Sequence, residues 1–170
     1  MKVYIKKVEG LTLPKKGSDL AAGYDIVATS DPKISGKLHD LDSDLWESVD
    51  YIEYETNIYI APSVVTYHTL LHPRSSISKY NLMLKNGIGL ADADFRGGLI
   101  LRFAYLWQPE DLELVFGGPP LGEVNKNKIY QKGDKIAQLV FEPTTQVEFE
   151  VVDELTETNR GSGGFGSSGT

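Results

Sequence analysis

The chain has 170 residues, 41% hydrophobic and 24% charged, which suits one soluble domain with its own core. A net charge of −7 and a pI of about 4.9 argue against a general nucleic-acid binder, and the absence of cysteine excludes disulfides, thiolate nucleophiles and Cys-ligated zinc. The opening MKVYIKKVEG has no apolar leader and no later run reaches the length of a membrane span, so a cytoplasmic protein with no membrane or nucleic-acid partner is expected.

In chain order, AAGYDI (Ala21 to Ile26) places a glycine before Tyr24 and Asp25 at the start of a strand; by itself it reads as a turn. Asp44 to Val49 suits a helical turn, with Glu47 three residues after Asp44 as a weak capping box. Residues 51–60 alternate, with Ile52, Tyr54, Thr56, Ile58 and Ile60 on one face and Glu53, Glu55 and Asn57 on the other. PRSSISK (Pro73 to Lys79) predicts one serine-capped turn, Ser75 to Tyr80, with hydroxyls and N–H groups at its mouth and the Arg74 fork beside them. An N-capped turn with a surface salt bridge fits these residues equally well.

NGIGLADADFRG (Asn86 to Gly97) carries an Asn-Gly hairpin signal, and its backbone can read the edge of a flat ring. Asp92 and Asp94 would point to one side if they lay in a strand, and one could activate a water. Residues 99–107 alternate, with Leu99, Leu101, Phe103, Tyr105 and Trp107 on one face. KGDKIAQLVF (Lys132 to Phe141) reads as a turn and a core strand, where Gln138 needs a polar partner. Residues 146–151 set Val147, Phe149 and Val151 opposite Gln146, Glu148 and Glu150. The end, RGSGGFGSSGT, cannot build a core and is expected to be mobile; its lone Phe165 and Arg160 suit a clamp that orders on a ligand. Short alternating runs punctuated by Gly, Pro, Asn and Asp predict an all-β antiparallel sandwich, barrel or jelly roll with one or two helical turns. An acidic protein that binds a polyanion must gather its few cations, and Arg74, Lys79, Lys85, Arg96 and Arg160 are the candidates. The stretch from Arg74 to Gly98 thus holds both anion donors and carboxylates, the layout of a phosphorylated-ligand site with acid-base chemistry.

Taken together and in this order, AAGYDI, PRSSISK, NGIGLADADFRG, GDKIAQLVFEP and RGSGGFGSSGT resemble the five motifs of the trimeric dUTP pyrophosphatase (dUTPase) family. The resemblance runs from about Gly23 to the last residue. It implies a jelly-roll-like, β-clip type subunit, residues 1–159, and a C-terminal arm, residues 160–170, that closes over the site. It also implies a homotrimer whose active sites are shared between subunits, and hydrolysis of dUTP to dUMP and pyrophosphate with Mg2+ carried mainly by the triphosphate. By the same resemblance Asp92 is the catalytic base. Arg74, Ser75, Ser76 and Gln138 lie on the phosphate side, and Asn86 with the backbone to Gly89 reads uracil. Phe95 lies under the deoxyribose, and Asp25 supports the metal through water. In the arm, Phe165 stacks on the base, while Arg160, Gly166, Ser167 and Ser168 meet the phosphates.

The sequence departs from that pattern in places. Phe95 stands where the family usually has tyrosine, and Ala91 replaces a bulkier aliphatic. Stretches near 33–50 and 107–130 are longer than in a minimal member and read as surface loops, the second a candidate surface for a protein partner. Enlargements of this kind occur in phage members of the family. Two rivals share the fold: a dCTP deaminase and a regulatory binding protein. The deaminase needs a glutamate on the strand after the hairpin, where this chain reads LILRF with Arg102. Retention of Asp92, Arg74, Arg160 and Phe165 argues against a binding protein without activity.

Overall fold

Period-two alternation becomes a strand where one of its faces meets a core, and most of these runs do. The structure is a computed structural model that describes residues 1–39, 44–115, 118 and 120–164. The chain forms β1 (Val3–Ile5), β2 (Lys15–Lys16), β3 (Tyr24–Val27), β4 (Lys33–Leu38), β5 (Leu45–Glu55), β6 (Ile60–Pro62) and β7 (Tyr67–Pro73). It continues with β8 (Leu82–Leu84), β9 (Gly89–Ala91), β10 (Ile100–Tyr105), β11 (Leu112–Glu113), β12 (Leu121–Glu123) and β13 (Lys135–Pro143). The helical elements among the described residues are short 3₁₀ turns at Ser75–Lys79, Pro109–Asp111 and Lys126–Lys128.

The strands form three antiparallel sheets. One runs β2-β3-β13-β7-β9, a second β11-β12-β5-β10-β8 with β4 also on β5, and β1 pairs with β6. This is the expected all-β, jelly-roll-like architecture. The core lies along the alternating faces: Ile52, Tyr54, Thr56 and Ile58 are at most 1% exposed, and Leu99, Leu101 and Phe103 at most 3%. Thr56 is tolerated there because its hydroxyl donates to the Leu99 carbonyl at 2.6 Å. Tyr54, Phe103 and Tyr130 pack edge to face, with ring centroids 5.5 to 6.2 Å apart, and the Tyr54 hydroxyl donates to the Tyr130 carbonyl at 2.9 Å. Burying each such ring contributes roughly 1.5–3 kcal/mol.

Several local expectations are corrected. Asp44 to Val49 makes no helical turn: residues from Leu45 onward belong to β5, because β4 and β12 take up its two edges. The stretch 33–50 is therefore mostly a paired hairpin rather than a surface loop, and 107–130 contains β11, β12 and two 3₁₀ turns. The run 51–60 is interrupted after Glu55, where Asn57 adopts φ 52 and the chain crosses to β6. The turn at Ser75–Lys79 forms, but its N-cap is Arg74 and no side chain caps it. Residues 146–151 form no strand, and Val147, Phe149 and Val151 are 67%, 90% and 99% exposed. β13 ends at Pro143, and the alternating run beyond it meets no sheet edge of its own chain. Every residue from Thr145 to Ser162 is exposed.

Candidate active site

Asn86-Gly87 makes its turn, with Gly87 at φ 68 and its N–H on the Leu84 carbonyl at 2.9 Å. The flanking strands do not pair with each other: β8 joins β10, and β9 joins β7. The turn thus bridges two sheets and opens a pocket of roughly 490 Å³ whose lining includes Asn86, Gly89, Asp92 and Phe95. That volume is within the range of small-ligand sites. A side chain at Gly89 would put its Cβ 2.9 Å from Leu71 Cδ1, so glycine suits the close packing of β9 on the Leu71 side chain. Asp92 and Asp94 are not in a strand. β9 ends at Ala91, and a turn follows in which the Phe95 N–H meets the Asp92 carbonyl at 3.1 Å. Arg96 pins that turn by donating from Nη1 to the carbonyls of Ala93 and Phe95, at 2.8 and 2.9 Å. The Phe95 ring lies so close over Gly97 that a Cβ there would sit 2.4 Å from Cζ, and it remains 45% exposed on the pocket side of the turn.

A second cluster forms around Asp25, which is 5% exposed on β3. Its Oδ1 accepts from Arg74 Nε and Gln138 Nε2, both at 3.0 Å, and its Oδ2 accepts from Lys135 Nζ at 2.9 Å. Gln138 sits opposite Asp25 in the β13–β3 register, and Gly23 allows that approach, since its Cβ would lie 3.0 Å from Gln138 Cβ. Burial, the largest influence, pushes the Asp25 carboxyl up. Hydrogen bonds from Lys135 and Gln138 and the charges of Arg74 and Lys135 together outweigh it and hold the carboxyl below its ordinary 3.8. Arg74 Nη1 also donates to Ser76 Oγ at 3.2 Å. These bonds use two of the five guanidinium N–H groups, and the neighbouring Ser75 is exposed. Below this loop the Tyr130 phenol is pushed up to about 12, first by burial and then by Tyr80, with Ser76 and Arg74 acting against the rise, so it stays neutral.

The two clusters lie apart. The β7–β9 register ends with Ala91 opposite Thr69, five residues or roughly 17 Å along the strand from Arg74, and Asp92 follows Ala91 at that far end, on the order of 20 Å away. The adjacency in sequence of anion donors and carboxylates is therefore not an adjacency in space within one chain. Arg160 is exposed, with Nε donating to the Gly163 carbonyl at 2.9 Å, and it meets neither cluster. Phe165, Gly166, Ser167 and Ser168 lie outside the described residues. Sequence reasoning missed Lys135 as a partner of Asp25; the available signal was a cation directly after the Gly-Asp turn, three residues before Gln138. Arg102, also on the pocket, is tied to Glu53 at 2.8 Å and lies over the Tyr51 ring at 4.2 Å.

The family model described as dUTPase matches residues 123–169. The deoxyuridine 5'-triphosphate nucleotidohydrolase of Desulfitobacterium hafniense is 32% identical over 167 residues, 98% of this chain and 93% of the relative. The chain belongs to the dUTPase family. The corresponding dUTPase of Shewanella pealeana is 30% identical over 159 residues, covering 93% of this chain and 87% of the relative. Among solved structures, the dUTPase of Staphylococcus bacteriophage 80alpha with dUPNHPP matches with a TM-score of 0.72 and 23% identity, covering 99% of each chain. A variant dUTPase from phage phi11 of S. aureus, described for its coordination of a structural Mg(II) ion, gives a TM-score of 0.62 at 20% identity, covering 91% of this chain and 98% of that one. These two likenesses support the fold.

Proposed function

We propose that the chain is a dUTP diphosphatase that hydrolyses dUTP to dUMP and pyrophosphate, limiting uracil incorporation into DNA and supplying dUMP. The observation that carries the reading is the pocket that gathers Asn86, Gly89, Asp92 and Phe95 in a member of this family. Asn86 and the backbone through Gly89 pair with the uracil edge, and the Phe95 ring faces the deoxyribose and crowds a 2′-hydroxyl. Asp92 orients a water and takes its proton as the water oxygen bonds to the α-phosphorus; the bond from that phosphorus to the bridging oxygen breaks and pyrophosphate leaves. Arg74, Ser75, Ser76 and Gln138 hold phosphate oxygens and fix the chain of phosphates for in-line attack. The arm residues Arg160, Phe165, Gly166, Ser167 and Ser168 close over the nucleotide.

Among the described residues no group of three or more His, Asp or Glu side chains could hold a metal by itself. Three donors occupy most of the lone-pair sites of Asp25, leaving room for a water but not for direct coordination. The residues thus fit a Mg2+ carried by the triphosphate and met by Asp25 through water, and when bound it would neutralise charge on the phosphate oxygens. The separation of roughly 20 Å between Asp92 and Arg74 supports a homotrimer in which neighbouring copies complete each site. The exposed alternating face of Val147, Phe149 and Val151 supports the same assembly, since it calls for an edge on another copy.

A cytoplasmic location, or the host cytoplasm for a phage-borne chain, belongs to this proposal; among the described residues no helix is long and apolar enough to cross a membrane. A protein partner at residues 107–130 belongs to it too, supported by Leu112, Val115 and the 92%-exposed Leu114 beside β11. Phage dUTPases are described as controlling transfer of virulence genes by a G protein-like mechanism. The position a deaminase fills with a glutamate is held by Arg102, which disfavours that reading. Pyrophosphate release measured across the deoxynucleoside triphosphates tests the proposal: dUTP alone should be turned over efficiently. Ammonia release from dCTP would point to the deaminase, and no turnover of any triphosphate to the binding protein.

A further inference from the structure

The Asp25 cluster contains a cation, Lys135, to which the reading of the motifs gave no role. Gln138 reaches Asp25 directly across the β13–β3 pair, but Lys135 is three residues upstream, roughly 10 Å along a regular strand. A register shift between Lys135 and Ala137 pairs Lys135 with Val27, two residues from Asp25 and on the same face of β3, within reach of a lysine side chain. The bulge lets Ile136 enter the core at 0% exposure while the Lys135 side chain turns onto Asp25 Oδ2 at 2.9 Å. Bulges that re-aim one side chain recur beside active sites. Arg74 and Lys135 take opposite oxygens of the same carboxylate. One negative and two positive charges leave the cluster at +1, and both cations reach solvent, with side chains 28% and 52% exposed.

We propose that Lys135 is a positioning residue for the phosphate side of the site. It takes up the charge of Asp25, so that Arg74 is held by Nε yet keeps its positive field for the triphosphate. Without Lys135, Asp25 and Arg74 sum to zero, and Arg74 becomes a spent ion pair. This rests on the reading that Arg74 meets phosphate, and the experiment separates the two.

The full-length protein is compared with Lys135→Met, Lys135→Gln, Lys135→Arg and Arg74→Met, each checked by melting temperature and oligomeric state. The readouts are KM and kcat for dUTP and competitive inhibition by inorganic pyrophosphate with Mg2+. Lys135→Met should raise KM and the pyrophosphate inhibition constant by about tenfold, as expected when one charge is removed from a half-exposed anion site, with a much smaller change in kcat. Lys135→Gln, a neutral donor, should lose affinity like Lys135→Met, and Lys135→Arg should restore it. A Lys135→Gln variant that binds pyrophosphate as well as the parent overturns the proposal, as does a Lys135→Arg variant as impaired as Lys135→Met. If those results come with a large loss in Arg74→Met, the phosphate reading of Arg74 stands and only the role of Lys135 falls. If Arg74→Met also keeps its affinity, the phosphate reading falls with it.

Discussion

Asp92→Asn and Arg74→Met should each inactivate the protein, and a mixture of the two should recover activity. Asp92→Asn removes the group proposed to accept the proton of the attacking water, a loss of roughly 10²-fold or more in turnover with dUTP binding kept. Arg74→Met removes the guanidinium fork proposed to hold phosphate oxygens. Within one chain these residues are about 20 Å apart by strand register, and the Asp25 bond at 3.0 Å keeps Arg74 at its own end. A single phosphate chain whose α-phosphorus faces Asp92 therefore needs its arginine from another copy. In trimers assembled at random from equal amounts of the two variants, a site has an intact Asp92 from one copy half the time and an intact Arg74 from its neighbour half the time. About a quarter of the sites are then whole. The assay is pyrophosphate release after the two proteins are unfolded and refolded together, with each refolded alone as controls and size measured by chromatography. A mixture no more active than the mean of its two parents, at full trimer yield, would refute the shared site. Near-normal turnover by Asp92→Asn alone would instead move the base to Asp94.

Base and sugar selection follow from the pocket. dUTP should be preferred over dCTP and dTTP by up to about 10⁴-fold in kcat/KM, because a wrong base strands buried polar groups. dUTP should also be preferred over UTP, and comparable turnover of UTP, corrected by Phe95→Tyr, would show that the missing phenol matters more than the ring. Deleting residues 160–170 should leave the melting temperature and oligomeric state unchanged and remove most activity; turnover at the full-length rate would reduce this end to a passive tail. Asp25 gives the acid limb of stability. Its folded carboxyl lies below 3.8, so its contribution is fully present above that value and is lost as pH falls further. Urea midpoints measured between pH 6 and pH 2.5 should therefore fall more steeply for the parent than for Asp25→Asn, and equal slopes would remove Asp25 as the source.

What was legible in the sequence was what a strand pattern carries locally. Ile52, Tyr54, Thr56 and Ile58 alternate and are buried, and so are Leu99, Leu101 and Phe103, because one face of each run meets the core of its own chain. The same pattern at Val147, Phe149 and Val151 is as regular, but it forms no strand, since alternation specifies a face and leaves the partner open. Asp44 followed by Glu47 has the composition of a capped turn. Two neighbouring strands decide otherwise, and the Lys37–Glu47 ion pair ties that carboxylate across the hairpin instead of to a helix start.

The site shows the same limit one level up. The residues that the short motifs singled out fall in two separate places in the fold. Asn86, Asp92 and Phe95 share a pocket because a turn that bridges two sheets also opens it. Arg74, Gln138 and Asp25 meet because β13 lies between β3 and β7. Sequence distance misled most at the tightest-looking stretch: Arg74 and Asp92 are close in the chain, but β7 and β9 run antiparallel, so the register sends them to opposite ends. In the other direction, Lys135 is 110 residues from Asp25 and bonds to it at 2.9 Å. No periodicity announces that pairing, because it depends on one bulge and on the pairing order of strands far apart in the chain. Its consequence is electrostatic: on an acidic chain of net charge −7, the three charged groups gathered there sum to +1. A polyanionic substrate can therefore be drawn to one spot on a chain whose overall field repels it.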